Sequence, residues 1–170
     1  MSLATLMGEQ GGYSDGGEAR TLLEDTVNGY ELVFGARHQR TLNAELRLGL
    51  AMRENGDLDE AADLLEVVFE SSKVELGPTH AHTLTAQLSL ASLLALQGRR
   101  DDSVEALFET VCTTRRETLG MLHDQTLAAT SQHAAFLLAS GRLDDACAMY
   151  ERVVHGREEA LGEEHEVRLG

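Results

Sequence analysis

Histidine is the residue type through which this sequence offers most chemistry. His38, His80, His123 and His165 recur at one position of a repeating pattern, and His82 stands two residues beyond the second of them. Imidazole is a common metal ligand and proton carrier. Equivalent positions in stacked repeats lie about one repeat apart, however, too far for one ion to bridge. His80 with His82 supplies two ligands and no third. The pattern predicts a structural histidine that packs or hydrogen-bonds at each joint, with no metal site and no cofactor. Cys112 and Cys147 have no histidine at a catalytic spacing. Cys112 is expected to pack beside a core valine, as free cysteines often do, and Cys147 to be partly exposed. The carboxylates of Asp101-Asp102 and Asp144-Asp145 are adjacent, so they point apart on a helix. General acid–base catalysis needs convergent, desolvated groups. Gly11-Gly12 and Gly16-Gly17 lack the strand, helix and lysine of a phosphate-binding loop. No enzyme is predicted.

The elements that position these residues come from an internal repeat. NGDLDEA from Asn55, QGRRDDS from Gln97 and SGRLDDA from Ser140 place glycines at 56, 98 and 141, spaced 42 and 43 residues apart. FGARHQRTL from Phe34, LGPTHAHTL from Leu76, LGMLHDQTL from Leu119 and LGEEHEVRL from Leu161 repeat with the same period. Two landmarks sharing one period define a repeat, and that decides the architecture. Each period holds two helical stretches. The A helices, 41–54, 83–96 and 126–139, are apolar with small residues interspersed. The B helices, 58–76, 101–119 and 143–161, begin with acids, which suit a helix start. A hairpin of this length cannot bury its own apolar faces, so neighbours must complete the core.

The predicted organisation is one array: a degenerate partial repeat over 1–38, repeats over 39–80, 81–123 and 124–165, and the start of a further helix over 166–170. LATLMGEQGGYSD at 3–15 matches LASLLALQGRRDD at 90–102, and predicts the back half of an A helix before a degenerate B helix at 18–33. Alignment of Leu65, Phe108 and Tyr150 leaves one extra residue in the middle repeat, between Asp102 and Phe108, as a helix bulge or a lengthened turn.

Composition agrees. The formal charge of −15, from 29 acidic against 14 basic residues, disfavours nucleic acid and anionic membrane as partners. One proline, four phenylalanines, three tyrosines and no tryptophan fit a helical chain. With 42% hydrophobic residues it is apolar enough to fold. Neither a signal peptide nor a membrane-spanning run is visible, so a cytoplasmic location is expected. The acid is concentrated in the B helices and the two ends. Residues 81–97 and 124–140 hold one formal charge between them, at Asp124.

The helix–turn–helix unit resembles the tetratricopeptide repeat. Small residues fall at its close-contact positions, Gly49, Ala91 and Ala134 in the A helices and Ala61, Ser103 and Ala146 in the B helices. Leu65, Phe108 and Tyr150 take the large apolar position. The period and the LGxxHxxTL joint are similar to the kinesin-light-chain variety. This chain departs from it in lacking a proline after the joint histidine and in carrying Arg47, Ser89 and Gln132 where asparagine is frequent.

The resemblance implies an all-α, right-handed superhelical solenoid of antiparallel helix pairs, with the A helices lining a concave groove. It implies a non-catalytic adaptor or scaffold that binds a peptide or helix of a partner protein. The groove residues would be Asn43, Leu46, Arg47, Leu50 and Arg53 in the first full repeat, and Thr85, Leu88, Ser89 and Ser92 in the second. Ala128, Ser131, Gln132 and Ala135 follow in the third, with Glu54, Ala95, Leu96, Leu138 and Ala139 toward the helix ends. Alternatively, the leucines are inter-helix packing in a tighter superhelix. A self-associating structural segment of a larger signalling protein is the second functional expectation.

Overall fold

The computed structural model describes residues 15–169, and among them the chain is helical throughout, with no strand. Seven helices follow one another: α1 (Asp15–Phe34), α2 (Gln39–Asn55), α3 (Leu58–Glu75), α4 (Ala81–Leu96), α5 (Asp102–Leu119), α6 (Asp124–Ala139) and α7 (Leu143–Leu169). The A helix expected before α1 lies outside the described residues, apart from Asp15. No helix among the described residues is long and apolar enough to cross a membrane.

The two sequence landmarks are the two kinds of turn. After α2, Gly56 adopts a φ of +92°, and its N–H reaches the Arg53 carbonyl while that of Asp57 reaches Met52. This left-handed residue satisfies carbonyls at the helix end that a side-chain-bearing residue would leave open at a steric cost. Gly98 and Gly141 repeat the arrangement, and Gly35, Gly77 and Gly120 turn each B helix into the next A helix, all at positive φ.

The joint histidines start the A helices. Nδ1 of His38, His80 and His123 accepts the backbone N–H of Arg40, His82 and Gln125 at 3.2, 3.2 and 3.1 Å. Each is an N-cap in extended conformation, filling the place usually taken by Ser or Asp. This bond requires Nδ1 as acceptor and explains the recurrence at these three joints as helix capping. Among the acids that open the B helices, Asp101 caps α5 by accepting from Val104 N–H. Asp57 makes no cap bond and instead receives Arg20 of α1 at 2.7 Å, which also holds Glu24 and Glu60.

Successive helices pack as antiparallel neighbours. In addition α4 touches both α2 and α6, whereas the B helices α3, α5 and α7 make no such contact with one another. The A layer is therefore the tighter one, and the array curves with its A helices inside. The core runs along the array in two clusters. Leu46, Leu65, Val68, Phe69 and Leu90 centre the first, and Leu88, Val104, Phe108, Val111 and Phe136 the second. The small residues are needed at the crossings. A Cβ on Gly49 would stand 2.8 Å from Cδ2 of Leu65, and Ala61, Ala91, Ala134 and Ala146 are fully buried.

Two local expectations change. The extra residue of the middle repeat lies in the turn, not beyond Asp102: α5 is an unbroken helix from Asp102, and Arg99 and Arg100 lengthen the link from Gly98 to the cap Asp101. At the other end α7 continues through Gly162 to Leu169 instead of turning into a further helix at 166. At Gly77 and Gly120 the next A helix packs back and holds the turn. At Gly162 the backbone instead keeps its helical hydrogen bonds.

Candidate partner-binding groove

The inner face is built by residues of α2, α4 and α6 that the core leaves over. Asn43 and Arg47 are exposed, and Leu50 and Arg53 half-buried, on α2. Thr85, Ser89 and Ser92 of α4 are half-buried, as are Ala128 and Ser131 of α6, while Gln132 and Ala135 are exposed. Leu46 and Leu88 are different. Each is only 6% exposed and belongs to the core clusters. The A helices touch one another, which drives these two leucines into the seam beneath the surface. They support the groove and are closed to a ligand.

The seam opens into a hollow toward the C-terminal ends of α4 and α6. Ser92, Ala95 and Leu96 line one side and Gln132, Ala135 and Ala139 the other, around about 320 Å³. Its floor is aromatic, with Phe108 and Phe136 buried and their ring centroids 5.3 Å apart. Ser92 Oγ donates to Gln132 Oε1, tying the two helices at the mid-groove. Leu96 is 61% exposed at the rim, and Leu138 of α6 is 48% exposed, apolar surface of the kind that marks interaction sites.

Arg100 is the residue that the sequence reading did not place here. The lengthened turn carries it to the rim, where its guanidinium donates to the Ala95 and Arg99 carbonyls and lies 6.0 Å from the Phe136 ring centroid. The extra residue in that turn was the available signal. Arg100 is the only charged residue lining the hollow. Among the described residues neither Arg47, Arg53 nor Arg100 is paired with a carboxylate, unlike Arg20, Arg37, Arg99 and Arg142 on the rest of the surface. A chain of −15 thus keeps guanidiniums without a carboxylate partner on its inner face.

Cys112 is half-buried, with its thiol pushed up by burial, and Cys147 is exposed. His82 is held at its joint by Ser72 Oγ, 3.0 Å from Nδ1. Among the described residues no three His, Cys, Asp or Glu side chains converge on a metal position.

His133 stands apart. It is 2% exposed, stacked on Phe108 at 5.6 Å, and neither ring nitrogen has a hydrogen-bond partner. Burial lowers its pKa from 6.5 against the opposing pull of Glu105 and Glu109 of α5, while Arg142 and Arg152 on the α7 side lower it further. The folded state then binds the proton less readily than the unfolded chain. The stability this contributes is present above about pH 6.5 and is lost as pH falls toward the folded value. Replacement by leucine, the residue at the equivalent Leu48 and Leu90, is expected to stabilise the fold at pH 7 by about 1–3 kcal/mol by removing two unpaired nitrogens. The melting temperature of His133→Leu should also fall less steeply than that of the parent between pH 7 and pH 5. Equal slopes would show that His133 is not the group being titrated.

The comparisons agree with this geometry. The family model for the tetratricopeptide repeat matches residues 41–82, 83–125 and 126–166. No curated protein matches the chain. Among solved structures, a protein of Podosopora anserina described as a putative kinesin light chain with nearly identical TPR-like repeats is 27% identical, with a TM-score of 0.69, over 85% of this chain and 68% of that one. A single-substitution form of that protein gives a TM-score of 0.73 over 86% and 68%. BtubC (BKLC) from P. vanneervenii shares the fold at 17% identity, with a TM-score of 0.73 over 92% of this chain and 60% of its own. The chain belongs to the tetratricopeptide repeat family, and its fold is similar to that of the kinesin-light-chain-like repeat proteins.

Proposed function

We propose that the protein is a non-catalytic interaction module whose concave groove takes an acidic segment of a partner protein, anchored by an apolar side chain in the hollow between α4 and α6. The observation that carries this reading is the pairing of an aromatic-floored hollow with unpaired guanidiniums in a strongly acidic chain. Apolar anchors in a pocket supply most of the affinity of such contacts. Arg47, Arg53 and Arg100 select the charge of the partner and repel basic segments. Tetratricopeptide repeats are generally protein-interaction modules, and the adaptor role follows that pattern.

Selection of a displayed random-peptide library on the purified protein tests it. Recovered sequences should place Leu, Met or an aromatic residue beside Asp or Glu. Ala135→Glu and Arg100→Glu, both at solvent-exposed positions, should each weaken the best peptide by about tenfold or more with the circular dichroism unchanged. Peptides that bind both variants as well as the parent would refute the groove. Light scattering should give a monomer at all concentrations, and a mass rising with concentration would instead favour self-association.

A further inference from the structure

A second cavity, of about 380 Å³, lies on the other side of the array, between the outer helices α5 and α7 and over the buried face of α6. Its depth is set by exposure. Leu127, His133 and Val153 are buried and form the floor, while Glu109, Arg116 and Arg152 are exposed and stand at the mouth. The volume is within the range of small-molecule sites.

The cavity arises from three substitutions within the repeat. At the preceding joint the equivalent places hold Phe69 and Leu90, both in the first core cluster, and Gln87, whose Nε2 donates to the Leu107 carbonyl at 3.1 Å. At this joint they become Cys112, His133 and Thr130, which all line the cavity. Two large apolar fillers are lost, and a buried imidazole without a hydrogen-bond partner takes the place of one. Glu105 Oε1 stands 3.9 Å from its Nε2, beyond hydrogen-bond reach, and an imidazole so placed at 2% exposure beside a cavity is costly to the fold.

Charge defines the class of that molecule. Among the described residues the guanidinium of Arg116 has no ion pair or hydrogen bond, and that of Arg152 donates only to the Ala148 carbonyl of its own helix. One turn beyond Cys112, Arg115 is a buried cation whose partners are the Gln125 carbonyl and Thr85 Oγ1, with no carboxylate. Glu109 offsets one of the two guanidiniums at the mouth, so the net charge there suits a monoanion. The wall of Met121, Leu127, Met149 and Val153 suits an aliphatic chain.

We propose that the cavity between α5 and α7 binds a small aliphatic monocarboxylate, its chain against the Leu127, Met149 and Val153 wall and its carboxylate between Arg116 and Arg152. The site is separate from the groove and does not depend on the partner proposed above. Octanoate is the probe, with octan-1-ol and inorganic phosphate as controls that isolate chain and charge. Millimolar octanoate should raise the melting temperature of the full chain and shift the amide resonances of α5, α6 and α7, while each control has a weaker effect. Cys112→Phe with His133→Leu restores the fillers of the preceding joint, and should abolish the octanoate shift while raising the melting temperature without ligand. Arg116→Gln and Arg152→Gln, on the surface, should each weaken octanoate by about tenfold. Absence of any effect of octanoate on the parent chain would overturn the proposal, as would equal binding to the two arginine variants. An effect of phosphate equal to that of octanoate would do the same.

Discussion

Phe108→Ala is expected to cost about 3–5 kcal/mol, a large share of the 5–15 kcal/mol that holds a typical domain folded. Phe108 is 1% exposed and sits at the centre of the second core cluster, stacked on His133 and packed on Phe136. It belongs to α5 but floors the seam between α4 and α6, so its removal loosens the middle repeat from the third. In a solenoid each repeat contacts only its neighbours, and such a loss need not spread along the array. The first cluster, around Leu65, Val68 and Leu90, is intact in this variant. Hydrogen exchange should show α5, α6 and α7 losing protection while α2 and α3 retain it, and thermal melting should broaden or split. A single sharp transition within about 1 kcal/mol of the parent would contradict the division of the core into two clusters.

Leu88→Glu is expected to unfold the middle of the array. By repeat position alone Leu88 belongs to the groove, where a glutamate would block binding and leave the helices standing. The structure places it at 6% exposure among Leu84, Ala91, Phe108 and Phe136. An unpaired charge in such surroundings costs several kcal/mol, or forces the side chain out along with its helix. Circular dichroism should show a loss of helix at pH 7 and partial recovery at acid pH, where the glutamate is neutral. Full helicity at pH 7 would mean that Leu88 lies on an open surface after all. Leu46, at the same place in α2, predicts the same behaviour.

The two leucines mark where sequence reasoning ended. Repeat period, helix pairs and both turns were legible because each depends on a local rule: a glycine at positive φ, an acid or histidine at a helix start, a small residue at a crossing. The inner face was legible as a helix face, since Asn43, Arg47, Ser92, Gln132 and Ala135 reach its surface. Its depth was not, because the distance between successive A helices decides which apolar residue is seam and which is surface, and that distance is a property of the whole array. Arg100 was missed for a related reason. One added residue in a turn leaves every motif intact yet swings a guanidinium to the rim over Phe136. The joint histidines went the other way. They were expected to pack or hydrogen-bond at each joint, and Nδ1 of three of them accepts a backbone N–H two residues on.

Charge placement connects the fold to the proposed role. Several acids at the starts of the B helices are taken up in ion pairs between neighbours, as with Arg20 to Asp57 and Glu60, and Arg142 to Glu105 at 2.6 Å. Those pairs lie on the outer layer and leave the inner guanidiniums unmatched. An acidic partner would therefore meet attraction at the inner arginines, with an association rate that falls as salt is added.

The central claim is that the inner face, and not the outer one, receives the partner. Amide chemical-shift mapping with the strongest peptide recovered by selection tests it most directly. The perturbed resonances should cluster on α2, α4 and α6 around Arg47, Ser92, Leu96, Gln132 and Ala135. Perturbations gathered on the outward faces of α3, α5 and α7, with those inner positions unmoved, would contradict it.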